Sequence, residues 1–453
     1  MIPRRTRAVH SLLAALALLA GTALNLTAAP PSGTKWITAW TGSAQGPYPS
    51  GNATAQPNLS RVFPPPESGA RDQSFRLIVK PGVWGGQTRV RLSNAFGTRP
   101  VTFDGVFVAM QMSGAALAHG TNRPVAFAGK SSVTIAPGEA AWSDAVLLPF
   151  VRDAAGVELA GRKLAVTIHV AGESGPMTWH AKALQTSYVT APGAGAKGDE
   201  ETEVAFPFST TSWYFLDAMD MTAPADSRLV VAFGDSITDG TDSTLNGDDR
   251  WPDVLARRLP AVSHTYVVNA GIGGNQVVGP AAYSAQKPSS GGPSALQRLD
   301  RDVLSLSGVS AVIWLEGIND FGKSVNASAA TVEAGMREGV KRIRAAIPGV
   351  RVIGATLTSA LGSTNAAHGS AEEDAVRKEL NEFIRSGGLF DGVADFDKAT
   401  TDPQTGAMRA EFVPDSTTGG PGDKLHPNRA GYLAMGMAVD IDGLKGKAKG
   451  SGR

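Results

Sequence analysis

The 453-residue chain contains no cysteine. That absence excludes a disulfide framework, a cysteine nucleophile and any thiolate-ligated metal, so the chain depends on core burial for its stability. Excess charge of either sign is also missing. Lys and Arg total 42 against 41 Asp and Glu, a formal net charge of +1, which offers no electrostatic footprint for nucleic acid. Long apolar runs are absent with one exception, Leu12 to Ala20, built only of Leu and Ala. It follows Arg4, Arg5 and Arg7 and precedes the small residues Thr27, Ala28 and Ala29. This is the layout of a secretory signal peptide over residues 1–28, and the run is short for a membrane span. The sequence therefore predicts a secreted or periplasmic protein with no integral membrane span after cleavage; an uncleaved anchor is the other reading.

What remains is ordinary for a globular protein: 42% hydrophobic and 18% charged residues, in a chain long enough for two domains. Residues 35–224 read as all-β. Ser74 to Val79 and Thr88 to Ser93 alternate roughly by two, Lys163 to Val170 is β-rich, and Gly, Pro, Asn and Asp clusters separate such runs. Many short strands at close spacing predict an all-β sandwich or jelly roll. Thr190 to Glu201 reads as an exposed loop, and Met221 to Asp226 as the junction between domains. Trp36, Trp40, Trp84, Trp142, Trp179 and Trp213 are expected to pack in the core rather than form a sugar-stacking platform.

Over residues 227–444 the pattern switches. Leu229 to Phe233 is a continuous apolar run, as expected of a strand buried on both faces. Further strands are predicted at Tyr266 to Val268, Val309 to Leu315, Val350 to Gly354 and Val393 to Phe396. Helices are predicted at Trp251 to Leu259, Ala329 to Ile347, Ala371 to Arg385 and Asn428 to Val439. Strand–helix alternation implies a parallel sheet with helices on both faces, and reactive groups gather at the carboxyl ends of such strands. The run Arg298, Asp300, Arg301, Asp302 reads as a solvated helix face. Lys445 to Arg453 reads as a frayed end.

Four short segments fall in that half: Gly234-Asp235-Ser236-Ile237, Asn269 to Asn275, Glu316-Gly317-Ile318-Asn319-Asp320 and Asp423-Lys424-Leu425-His426. Acyl transfer needs a serine activated by a base, the base oriented by a carboxylate, and fixed donors for the oxyanion. Asp423 lies three residues before His426, close enough to share a hydrogen bond, although it also suits an N-cap of the last helix. Ser236 at a strand-to-helix turn offers its backbone N–H, Gly274 a second, and Asn319 its side-chain amide; Asn275 is a further candidate. Asn319 and Asp320 also suit a plain turn. Asp235 is expected to hold the serine turn through local hydrogen bonds. The rival histidines are His119, His169, His180, His264 and His368, none with an aspartate placed as Asp423 is.

The four segments, in this order, resemble the blocks of the SGNH/GDSL hydrolase superfamily, with Ile237 where the family name has leucine. The match spans about residues 227 to 440. Arg250-Trp251-Pro252-Asp253 also resembles a bacterial secreted branch with an N-terminal β-domain. The resemblance implies a three-layer α/β/α, flavodoxin-like catalytic domain with a parallel sheet. It implies a serine esterase with Ser236, Asp423 and His426 catalytic and Ser236, Gly274 and Asn319 forming the oxyanion hole. Gly274 is placed there ahead of Gly273 by its position in the block. The activity needs no cofactor and no metal, and the substrate would be a small-molecule or polysaccharide ester, short-chain acyl or O-acetyl. The alternatives are a metallophosphoesterase, which wants several His and carboxylate ligands, and a non-catalytic polysaccharide-binding protein. An α/β-hydrolase is excluded because Thr238 stands where that family needs glycine.

Overall fold

A computed structural model describes residues 29–64, 69–152, 157–259, 263–280, 282–284 and 286–444. The expected export segment 1–28 and the end from Lys445 lie outside the described residues. Among the described residues no helix is long and apolar enough to cross a membrane.

The N-terminal half is antiparallel β-structure, as its period-two runs demand. One sheet centres on Arg71–Val79, Leu164–Glu173 and Val101–Ser113, with Ile168 between Phe75 and Val106. The facing sheet orders Thr34–Thr41, Leu216–Pro224 and Gln87–Ser93. Phe215, at the head of the facing sheet, meets Phe75 and Phe103 of the first, with centroids 6.0 and 5.2 Å away. Apolar inner faces packed in this way make a β-sandwich. The segment Thr190 to Glu201 is irregular, as expected, but it has a structural task. The buried Arg76 guanidinium donates from Nη2 to Glu200 O at 2.6 Å and to Lys197 O at 3.3 Å, so the loop satisfies one nitrogen of a buried charge whose others are held by Thr167 Oγ1 and Ala115 O. Trp40, Trp84, Trp179 and Trp213 are buried, and Arg89 sits over the rings of both Trp36 and Trp142. None of these six forms an open aromatic platform.

The C-terminal half carries five parallel strands: β1 (Arg228–Gly234), β2 (Thr265–Gly271), β3 (Val309–Leu315), β4 (Arg351–Ala355) and β5 (Gly392–Ala394), in the order β2-β1-β3-β4-β5. Helices follow the strands: α1 (Ser236–Asp239), α2 (Trp251–Arg258), α3 (Ala295–Leu299), α4 (Ala329–Ala346), α5 (Ala371–Ser386), α6 (Phe396–Thr400) and α7 (Arg429–Ala438). Packing groups α3, α4 and α5 together and α2, α6 and α7 together, which gives three layers, α/β/α, in the flavodoxin-like order. Leu229 to Phe233 have no exposure because both faces of β1 are covered. Trp314 on β3 packs beside Phe233 and beneath Gly339 of α4, where any Cβ would stand 2.5 Å from the indole.

Two expectations need correction. Asp395 and Phe396 do not extend the last strand. Asp395 caps α6 by accepting the Lys398 N–H, a task its short carboxylate performs better than strand pairing. The run from Arg298 to Asp302 is not a solvated face, since Arg298 and Asp302 are each 1% exposed. The two halves also share one continuous core. At their junction the Thr38 N–H donates to Ser307 O and the Ser307 N–H to Thr38 Oγ1.

Candidate active site

The serine turn is built by crowding at the end of β1. A Cβ on Gly234 would stand 2.0 Å from Thr238 Oγ1, so only glycine lets the chain fold back there. Asp235 then caps α1, its Oδ1 accepting the Ile237 N–H at 2.9 Å, the local role expected of it. Burial raises the Asp235 carboxyl to about 7. Ser236 opens α1, where its N–H has no partner within the helix.

His426 reaches this serine from the loop before α7. Its Nε2 lies 2.8 Å from Ser236 Oγ and its Nδ1 2.7 Å from Asp423 Oδ2. A carboxylate only accepts, so Nδ1 carries the hydrogen and Nε2 is left to accept the serine O–H. The other Asp423 oxygen accepts the N–H groups of Leu425 and His426, both at 2.8 Å. Burial pushes the Asp423 carboxyl up, but the His426 hydrogen bond and charge, with those backbone donors, take it down to about 2. The capping role open to Asp423 belongs instead to Asn428, whose Oδ1 accepts from Ala430 and Gly431.

The expected oxyanion donors lie at the ends of the neighbouring strands. Gly274 follows β2 with φ +81°, a left-handed value that suits glycine, and its N–H has no acceptor among the described residues. The Gly273 N–H, in contrast, donates to Asp239 Oδ2 at 3.0 Å. Asn319 sits in a single 3₁₀ turn after β3 and holds the Gly274 side of the site by donating from Nδ2 to Asn275 O at 2.9 Å. Asp320 ties the same loop, accepting the N–H groups of Val277 and Val278. Asn275 is not an oxyanion group. Its amide is spent on Gly291 O and Pro293 O, each at 2.7 Å, and its Oδ1 accepts from Arg298.

Beneath these strand ends lies Arg298. It donates to Gly234 O, Ala270 O, Asn275, Asp302 and Glu316 and stacks over Phe233 at 4.0 Å. One guanidinium thus ties together the ends of β1, β2 and β3. The alternating charges had suggested solvent; only a buried carboxylate after β3, Glu316, could have hinted otherwise.

Three more groups near the serine escaped the sequence reading. His180, placed by sequence far from any nucleophile, lies 3.2 Å from Asp239 Oδ1. Lys182 is buried and donates to Thr241 Oγ1 at 2.6 Å. Asp242 lies close to the His426–Asp423 pair, with one ligand atom of each of the three within 4.8 Å of the others. Burial raises the Asp242 carboxyl to about 6 despite the His426 charge. These three groups could hold a cation, but Asp423 and His426 are already hydrogen-bonded along the line that leads to Ser236.

Residues 232–434 match the GDSL-like Lipase/Acylhydrolase family. No curated protein matches the chain. Among solved structures it is similar to Est24, a carbohydrate acetylesterase from Sinorhizobium meliloti, at 16% identity and a TM-score of 0.36, covering 47% of this chain and 96% of that one. A putative arylesterase from Agrobacterium tumefaciens is 19% identical with a TM-score of 0.35, covering 47% and 95%. The aryl esterase of M. smegmatis is 17% identical with a TM-score of 0.36, covering 47% and 96%.

Proposed function

We propose that the protein, whose residues 232–434 match the GDSL-like Lipase/Acylhydrolase family, is a carboxylic ester hydrolase that works as a serine esterase through an acyl-enzyme on Ser236. The observation that carries this reading is the unbroken line Ser236 Oγ, His426 Nε2, His426 Nδ1, Asp423 Oδ2, with links of 2.8 and 2.7 Å. His426 takes the serine proton as Oγ attacks the ester carbonyl. Asp423, held ionised, stabilises the imidazolium that forms. The N–H groups of Ser236 and Gly274, with the Asn319 amide, receive the developing oxyanion. His426 then protonates the departing alcohol, and water, deprotonated by the same ring, releases the acid.

A short acyl chain is the favoured substrate. Close to Asn319 in the chain, Ile318 and Phe321 line a shallow cleft with Ala360, Leu361 and His368 and with the polar Ser370, Glu373, Asp374 and Arg377, which offers no long apolar channel for a fatty acyl chain. O-acetyl groups on extracellular polysaccharide fall within the same class. Residues 1–28 act as the export signal, residues 35–224 as the accessory sandwich and residues 227–444 as the hydrolase. N-terminal sequencing of exported protein should then start near Ala29.

Turnover of p-nitrophenyl acetate, lost in Ser236→Ala with the fold intact, is the expected result. Full turnover by that variant would end the acyl-enzyme reading. A chain-length series of p-nitrophenyl esters beside acetylated xylan, compared by kcat/KM, reads the substrate class.

A further inference from the structure

The sandwich half reaches into the site from below. Its strand Thr178–His180 ends against the serine turn. His180 Nδ1 lies 2.8 Å from Ser43 O and His180 Nε2 lies 3.2 Å from Asp239 Oδ1. A carbonyl and a carboxylate both accept, so both ring nitrogens carry hydrogen and the ring is an imidazolium. Asp239 ends α1, three residues after Ser236, and its second oxygen accepts the Gly273 N–H at 3.0 Å. Ring and carboxylate are 4% and 1% exposed, and the ring lies against Trp213 with centroids 5.3 Å apart. Contact between turn and loop is already at backbone distance, because a Cβ on Gly271 would stand 2.2 Å from Asp239 N. Gly273 immediately precedes Gly274, so the carboxylate that grips the Gly273 N–H anchors one end of the residue whose carbonyl shares a peptide plane with the Gly274 N–H.

We propose that His180 of the sandwich is a positioning residue for ester hydrolysis, locking Asp239 so that the Gly273–Gly274 backbone presents the Gly274 N–H to the oxyanion. The relay runs Ser43 O, His180, Asp239, Gly273 N–H, and it makes the sandwich a working part of the active site. Lys182, two residues after His180, supports the same turn through Thr241, whose N–H donates to Ser236 O at 3.0 Å. The relay rests on the reading of Gly274 as an oxyanion donor.

The test compares steady-state kinetics of full-length His180→Ala, Asp239→Asn and Gln185→Ala on p-nitrophenyl acetate, with calorimetry on each. A misdirected donor weakens the transition state more than the ground state. His180→Ala is therefore expected to lose roughly tenfold to a hundredfold in kcat with KM within about threefold, in protein that still melts cooperatively. Asp239→Asn keeps an oxygen for the Gly273 N–H, and its amide can donate to His180 once the ring gives up its Nε2 hydrogen and stays neutral, so it should stay within about fivefold of wild type. Gln185, which joins the halves through Asn246 at 2.9 Å, is the control for loosened docking, and its alanine variant should keep kcat. If His180→Ala does not fold, His180→Leu, which keeps bulk but offers no donor to Asp239, carries the same kcat expectation. Unchanged kcat with only a lowered melting temperature overturns the relay, as does an Asp239→Asn variant no better than His180→Ala. Loss of activity in Ser236→Ala beside full activity in His180→Ala would sink this inference alone, whereas an active Ser236→Ala would sink the acyl-enzyme reading beneath it.

Discussion

Arg298 Nη2 lies 3.0 Å from Glu316 Oε1, and neither side chain has any exposure. The same guanidinium meets Asp302 at 3.0 Å. Asp302, between Arg298 and Arg301, is held below the usual carboxylate range against the pull of its burial, while burial drives Glu316 well above it. Removing one partner of a buried network leaves the others desolvated and unpaired. Arg298→Ala should therefore cost about 3–5 kcal/mol of stability, read from denaturant unfolding. Arg298→Lys should recover only part of it, because an ammonium cannot reach five acceptors on three strand ends. A loss below about 1 kcal/mol would show that the network does not brace the sheet.

Asp423→Asn should lower kcat by about 10⁴-fold with little change in fold, since an amide no longer fixes the tautomer that leaves Nε2 free to accept. The depressed Asp423 carboxyl also favours the native state. Its folded value of about 2 lies below the ordinary 3.8, so that contribution is complete above pH 4 and is lost as pH falls through 2. Acid unfolding of Asp423→Asn should lack this component, and equal midpoints for the two proteins would contradict it.

Asn319→Ala should reduce kcat by about 10²–10³-fold while KM moves little, the signature of a group that acts on the transition state. An equal rise in KM with kcat preserved would make Asn319 a substrate-binding group instead.

Asp235 works in the opposite sense to Asp423. Burial raises it to about 7, so the native state holds a proton that the unfolded chain gives up near 3.8. That contribution is complete below pH 4 and fades as pH climbs to 7. Asp235→Asn keeps the acceptor for Ile237 and never ionises. Its stability relative to wild type should therefore rise by a few kcal/mol between pH 4 and 7.5, in urea titrations at both values. A constant difference across that range would contradict the raised value.

Gly271→Ala should damage both stability and turnover, because its Cβ would meet backbone atoms of Asp239 at 2.2 and 2.7 Å and push α1 away from β2. Retention of full kcat in this variant would show that the serine turn tolerates displacement.

Much of the catalytic half was legible in the chain. Leu229 to Phe233 reads as a strand buried on both faces because it is a short apolar run with adjacent β-branched residues, and the amphipathic run ending near Ile347 reads as a helix with one side on a sheet because its apolar residues recur at the helical period. Asp423 and His426 were readable as a pair because three residues of chain keep them together wherever the loop goes. Arg298 was misread because a charge run carries no mark of burial. Whether it meets water or Glu316 depends on strands that end elsewhere in the sequence.

Local order alone therefore determined the strands, most of the helices, the serine turn and the Asp423–His426 unit, since each is set by interactions within a few residues. Tertiary structure alone decided that His426 meets Ser236, that Arg298 is enclosed, and that His180 of the sandwich stands under Asp239, 59 residues further along the chain. Those contacts depend on how two packed layers and a sandwich close on one core, and no local propensity encodes the direction from which a distant side chain arrives.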